Sequence, residues 1–507
     1  MTLYALTLAF IVLTLLTVSL TRLGKVHTRA DYLVAGRSLP AFVLVFTLLS
    51  SWIGSGSLLG GAENAYNHGF AALWQAAGGW AGLALIYFIA PRARRFAQYT
   101  IPDLLEARYN QTARVLGVIA VLFTYTGITS YQFIGGGDIL HLIFPSAIST
   151  FQGQCIIATF VIVFTAIAGM SSVAYMDVAI GLLATFTLCV ALPVLVHRFG
   201  GWSAVQAALP ATHFQILGDL SLAQALELFL PPCLLMLGNQ AMYQKFFSAK
   251  SERDASRAVV GWVIGTLLLE TVIVALAVVG SAVFPTGEVH DHPREILAYI
   301  GLHGFQPSQT VTTIPNAYGP ATVITTSQTG AAPHLLQLLG ALLMGAIFAK
   351  IISTANNYLF SPATNLVNDI FVRYLRPNAP NKQVLLISRL MVVALGLWAL
   401  YQGVHTESVL KKALYAYTIY SAALTPVILA AFYWRRTTAS AAVASIFTGT
   451  FVTVFWDTAF VHAHFPAVLA DRDAIFPALI ASLLCLVLVS FATPKPTEAH
   501  LKAFAST

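Results

Sequence analysis

Charge is what this chain has least of. Only 9% of its 507 residues are Asp, Glu, Lys or Arg, while 57% are hydrophobic and the mean hydropathy is +0.76. That is too little charge to cover a soluble surface of this size, so a soluble globular fold is excluded and an all-α polytopic membrane protein is expected. The apolar runs are mostly 18 to 28 residues long and rich in Gly, Ala and Leu, without the ten-residue alternating segments of a membrane barrel. Cysteine is scarce too. Cys155, Cys189, Cys233 and Cys485 all lie inside apolar runs, which excludes a disulfide framework. There is no P-loop, no catalytic constellation and no metal-ligand spacing among the histidines, His290-Asp291-His292 reading as a solvated loop. The chain is therefore expected not to be an enzyme or an ATP-driven pump, and to have no nucleic-acid partner and no obligate protein partner.

What is present is a series of spans. Apolar runs bounded by charged or Pro/Gly loops predict thirteen transmembrane helices near 3–21, 40–67, 70–91, 113–143, 151–169, 178–197, 223–244, 258–284, 335–370, 383–404, 413–434, 439–460 and 475–493. With the N-terminus outside and the C-terminus inside, only five basic residues fall in outer loops: Arg198, Arg294, Lys411, Lys412 and Arg472. The inner loops then hold clusters such as Arg22, Lys25, Arg29 and Arg37, then Arg92, Arg94, Arg95, Arg108 and Arg114, and then Lys245, Lys250, Arg253 and Arg257. The net charge of +7 is thus topological, and the bias sets the orientation. The first span is preceded by Met1-Thr2-Leu3-Tyr4, with no basic n-region, and so reads as a retained helix rather than a signal peptide. The longest loop, about 285–334, is external and has room to be a lid, with Arg294–His303 its helical candidate.

Two spans carry interruptions. In AFVLVFTLLSSWIGSGSLLGGAENAYN, Gly54, Gly56, Gly60 and Gly61 alternate with serines, which predicts unwinding near Ser51–Gly56. Close packing of helices through small residues gives the same pattern. Five spans later, ALELFLPPCLLMLGNQAMYQKFF holds Pro231, Pro232 and Gly238, followed by Asn239 and Gln240. Matched interrupted helices five spans apart are the mark of two inverted five-helix repeats with a binding site between the breaks. Unwound carbonyls there suit a cation, and free helix N-termini suit an anionic group. Lys350 stands alone in a span otherwise uncharged from Leu335 to Asn368, with Ser353, Thr354 and Asn357 on its helix face at i+3, i+4 and i+7. A charge at that depth costs at least ~2.5 kcal/mol unless it has a partner or a function.

The stretches DYLVAGRSLP (31–40), WIGSGSLLGGAENAY (52–66), AGMSSVAYMDVAIG (168–181), GNQAMYQKFFSAKSERDASRAVVGW (238–262) and STANNYLFSPATNLVNDIF (353–371) resemble the solute:sodium symporters, in the family's order and across nearly the whole chain. The resemblance implies one domain over 1–507: a leading helix and inner loop (1–39), a first five-helix repeat (40–197), a second (223–434), and two trailing helices with a short tail (435–507). It implies a sodium site made of the Ser51, Gly54 and Lys350 carbonyls and the Ser353 and Thr354 hydroxyls, with Na+ as coupling ion. A second ion site would use Asp177, Ser353, Asn356 and Asn357, although a plain helix N-cap accounts for Asp177 equally well. Oxygen ligands of this kind suit a hard cation.

Lys350 departs from the family, whose members usually carry a small residue there. Three readings stay open. The lysine snorkels or pairs with Asp177 and leaves the sodium site intact; its ammonium takes the place of sodium, making transport sodium-independent or proton-coupled; or it faces a watery vestibule.

Ser57, Trp74, Gln75, Tyr125, Gln132, Asn239, Gln240, Tyr417 and Tyr420 lie on the interrupted helices or on spans that should surround the site, and are the candidate solute contacts. Glu270 is a further intramembrane charge with no partner evident in the sequence, while Arg389 can snorkel inward. The expectation is a secondary active transporter in the plasma or bacterial inner membrane, importing a small polar organic solute with sodium by alternating access. A membrane solute sensor is the alternative from another class. The Gly/Ser-rich break, free of charge, points to a neutral or zwitterionic solute.

Overall fold

The computed structural model describes residues 2–23, 34–91, 100–167, 170–306, 333–406, 408–456, 458–466, 472–498 and 501. Lys25, Arg29, Arg92, Arg94 and Arg95, assigned above to inner loops, lie outside the described residues, as does most of the long external loop. Among the described residues every regular element is helical, apart from one bridge between Leu39 and Ala249. Eleven helices among the described residues are long and apolar enough to cross a membrane, and Thr2–Val18 and Ala41–Trp52 are shorter apolar helices. The longer elements are α1 (Thr2–Leu23), α2 (Ala41–Trp52), α3 (Leu73–Ile86), α4 (Gln111–Ile143), α5 (Thr150–Ile167), α6 (Met170–Arg198), α7 (Leu222–Gly238) and α8 (Gln240–Ser248). They continue with α9 (Glu252–Val283), α10 (Pro333–Asn365), α11 (Asn381–Val404), α12 (Val409–Ala423), α13 (Thr425–Tyr433), α14 (Ala439–Trp456) and α15 (Ile475–Ala492).

Both interruptions are breaks in the chain's helical path. α2 ends at Trp52, Ile53 is extended (φ −83°, ψ 101°), and helix resumes as a π turn over Gly56–Gly61 and an α segment Ala62–His68. The second break is at Asn239 (φ −57°, ψ 111°), between α7 and α8, rather than at the proline pair. Pro231 and Pro232 stay inside α7, where hydroxyls satisfy nearby carbonyls: Ser421 donates to Pro231 O at 2.7 Å and Thr425 to Leu234 O at 2.7 Å.

The packing is reciprocal between the two halves. α2 lies on α9 and α6, while α7 lies on α3 and α12; α4 packs on α12, and α10 packs on α6. Exchanging the first half for the second turns each of these pairings into another. Gly78 and Gly82 let α3 approach the α7 backbone at Phe229 and Cys233 more closely than a Cβ would permit. α10 and α12 form the interior, whereas α11, α14 and α15 turn large apolar side chains such as Leu390, Phe451 and Leu488 outward, as lipid-facing helices do.

Polar contacts gather at the two ends of α4, about 36 Å apart between residues 114 and 138 at 1.5 Å per residue. At the first, Arg114 meets Asp103 and Glu106 at 2.5 Å and Asp369 at 3.7 Å, and Arg373 joins Glu106 at 3.0 Å. At the other, Asp138 pairs with Arg294 at 3.2 Å. Arg294 lies in the helical part of the external loop, which runs through Glu288–Asp291, Pro293–Glu295, Ile296–Tyr299 and Ile300–Gly304.

Candidate functional site

The first break faces the middle of α10. Thr354 Oγ1 lies 2.8 Å from Ser50 O, 3.1 Å from Ile53 O and 2.9 Å from Lys350 O. A hydroxyl carries one hydrogen, so it can satisfy one of the three carbonyls at a time. The remaining lone pairs form an oxygen-only cluster of the kind that binds hard cations, and these residues fit a sodium ion. The carbonyls that converge are those of Ser50 and Ile53, one residue earlier than the Ser51 and Gly54 expected. The reason is local. Gly54 O is taken by the N–H groups of Ser57 (3.1 Å) and Leu58 (2.8 Å) as helix resumes, whereas extended Ile53 turns its carbonyl to α10. Gly54 is needed for closeness: a Cβ there would stand 2.6 Å from Thr354 Oγ1.

Beside this cluster is a buried ionic one. Asp177 accepts hydrogen bonds from Thr47, from Ser353 and from Asn357 Nδ2 (3.2 Å). Lys350 is fully buried and donates to Ser50 Oγ at 3.2 Å. A second ammonium is present that the sequence reading assigned to an inner loop. Lys245, on α8, is buried and donates to Ser51 Oγ and, at 2.7 Å, to Asn357 Oδ1. Both lysines interact electrostatically with Asp177, so the cluster sets two basic side chains against one acidic one. Asn356 does not join it. One residue from Asn357 but about 100° around the helix, it accepts from Thr165 of α5 at 2.8 Å.

A cavity opens on the other side of the first break, and three of the expected solute contacts line it: Ser57, Gln75 and Tyr417. Trp52 and Glu270 line it as well. The Trp52 and Tyr417 rings stack with centroids 6.0 Å apart and an interplanar angle of 24°. Glu270 accepts from Trp52 Nε1 (2.8 Å) and Ser57 Oγ (3.3 Å) at Oε1, and from Trp80 Nε1 (2.8 Å) at Oε2.

The other expected contacts serve the chain itself. Asn239 Oδ1 caps α8 through Ala241 N (3.0 Å) and Met242 N (3.4 Å), and accepts from Tyr125 Oη (2.8 Å), while its Nδ2 donates to Tyr358 Oη (3.0 Å). Tyr420 Oη donates to Gly238 O (2.8 Å) and accepts from Gln240 N (3.1 Å). The α8 N-terminus, expected to be open to an anionic group, is thus filled by the protein's own side chains. Gln132 Oε1 accepts from Ser55 N (2.8 Å) just past the first break. Gln240 turns its side chain away to Ile101 N, and Trp74 Nε1 donates to Ile216 O (2.9 Å) near the surface, so neither lines the cavity.

Comparison with known proteins bears on the family and the fold. A sodium/proline symporter of Staphylococcus aureus is 24% identical, with 92% of this chain and 88% of that protein covered. Among solved structures, a substrate-bound, outward-open Na+-coupled sialic acid symporter superposes with a TM-score of 0.75 at 15% identity, covering 98% of each chain. A nucleobase-cation-symport-1 family transporter matches with a TM-score of 0.56 at 10% identity, covering 95% of this chain and 100% of its own. These structural likenesses bear on the fold, which is that of a helical transporter. The family model that matches, over residues 32–449, is that of the sodium:solute symporters, and the chain belongs to that family.

Proposed function

We propose that the protein is a secondary active transporter that carries a small polar organic solute into the cell by alternating access, driven by sodium. In this reading it has thirteen membrane helices, with the N-terminus outside and the C-terminus inside, and two inverted five-helix repeats. The observation that carries it is the meeting of the Ser50, Ile53 and Lys350 carbonyls on Thr354, which joins the broken helix to α10 through a potential cation site. An ion bound there would favour the conformation in which the first break and α10 are together, and so bias the equilibrium that accepts solute. Alternating access is supported by the ionic contacts at opposite ends of α4, which would close the core from one side or the other. The reciprocal packing supports the repeats.

Of the groups expected at a second ion site, Asp177, Ser353, Asn356 and Asn357, Asn357 accepts from the Lys245 ammonium, which would compete with an ion there. The proposed stoichiometry is therefore at most one sodium per solute. A second reading is favoured by the same lysines: with Lys245 and Lys350 against Asp177, the cluster carries a surplus positive charge whenever both lysines are protonated. Two unit charges about 4 Å apart repel by roughly 4 kcal/mol at an effective dielectric of 20, enough to weaken sodium binding by about a thousandfold. Sodium-independent or proton-coupled transport follows if the lysines stand in for the ion.

Uptake into proteoliposomes decides between the readings. Sodium-driven accumulation that is lost in choline supports symport. Equal accumulation in both media, becoming sodium-dependent in Lys350→Ala, supports the tethered cation.

A further inference from the structure

Glu270 is a buried carboxylate with no cation beside it among the described residues. All three of its side-chain partners, the Trp52 and Trp80 indoles and the Ser57 hydroxyl, can donate to it, which is the environment of an ionised group. Three neutral donors solvate a charge without cancelling it, and an uncompensated charge in a dry interior is costly. Across the same cavity stands a second unmet acceptor. Gln75, 9% exposed, has an Oε1 without a hydrogen-bond partner. The Trp52 and Tyr417 side chains form the adjoining wall, and electron-rich aromatic rings attract cations. The cavity thus lacks one kind of group: a positive one rich in N–H donors.

We propose that the solute carried by this protein bears a protonated nitrogen with N–H donors, an amine or guanidine, which binds between Glu270 and Gln75 against Trp52. This rests on the reading of the first break as the solute site. It changes the expectation of an uncharged pocket, because the charge comes from α9 rather than from the broken helix. A zwitterion satisfies the requirement, whereas a neutral polyol or a simple carboxylate does not. Glu270 determines specificity here, and the indoles of Trp52 and Trp80 act as positioning residues that hold its carboxylate.

The test is thermal stabilisation of the purified full-length protein in detergent by paired probes. These are amino acids beside the matching 2-hydroxy acids, alkylamines beside alcohols, and guanidines beside ureas, and bound solute raises the melting temperature by mass action. At least one nitrogen-bearing probe is expected to bind at least tenfold more tightly than its neutral partner. Glu270→Gln should remove that preference, while Glu270→Asp, which keeps the charge, should retain it. Gln75→Leu, which leaves Glu270 and its indoles in place, should weaken the same probe severalfold, so the idea remains testable if Glu270→Gln does not fold. Equal binding within every pair, binding unchanged by Glu270→Gln or by Gln75→Leu, or no stabilisation by any nitrogen-bearing probe overturns it. Binding with the expected preference but without accumulation in liposomes would sink the transporter reading and leave the charge selectivity standing.

Discussion

The two breaks occupy equivalent places in the two halves of the molecule, yet they are finished in opposite ways. At Asn239 the backbone groups that a broken helix exposes are met by neutral side chains: an amide cap, Tyr125 and Tyr420. At Ile53 three carbonyls share a single hydroxyl hydrogen, and the surroundings are ionic: Asp177, Lys245 and Lys350 on one side and Glu270 on the other. Breaking a helix in a membrane creates polar groups that need partners. Where the chain supplies all of them, the break is a structural joint. Where it leaves some unmet, the break is available to ions and solutes. Architecture duplicates the breaks, but only side-chain chemistry makes one of them a site.

The largest test of this contrast is Asp177→Asn. It leaves two buried ammonium groups with no anion in their cluster, and breaking a buried pair costs about 3–5 kcal/mol, so a sharp fall in melting temperature is expected. Adding Lys245→Met should recover much of the loss; if it does not, the cluster is not held by charge balance. Next in size is Thr354→Val, which keeps the shape and removes the shared hydrogen. It should weaken sodium activation by about tenfold, corresponding to ~1.4 kcal/mol, with little change in melting temperature. Asn239→Ala should show the reverse pattern, losing ~1 kcal/mol of stability as a lost cap while the sodium half-saturation stays put. The smallest effect should come from Tyr125→Phe, about 1 kcal/mol or less of stability and no change in ion dependence. If the Asn239 and Tyr125 variants moved sodium activation as far as Thr354→Val does, the distinction between the breaks would fail.

Much of this was legible in the chain, because bilayer spans are written in long apolar runs and a break is written in glycine. Ser57, Gln75 and Tyr417, chosen from the spans that carry them, line one cavity. What escaped depended on direction. Lys245 sits in QKFFSAK, which reads as the start of a basic loop, although the flanking Tyr243, Phe246 and Phe247, all buried, were a signal that α8 still runs through the interior. The carbonyls facing Thr354 are those of Ser50 and Ile53, since which oxygen faces α10 follows from the extended conformation of Ile53 and not from residue type. The partners of Glu270 come from Trp52 and Trp80, some two hundred residues earlier, and spacing cannot show that. Asn356 and Asn357 differ only in which side of α10 they face.

The Thr354 contact has one more consequence. A bond that can be handed between Ser50 O and Ile53 O of the broken helix, with Lys350 O of α10 itself in reserve, lets a small rotation of the broken helix exchange one partner for another without leaving the hydroxyl unbonded. Such a contact offers little resistance to turning or to parting, because the hydroxyl can fall back on the Lys350 carbonyl of its own helix. It works as a bearing between the broken helix and α10.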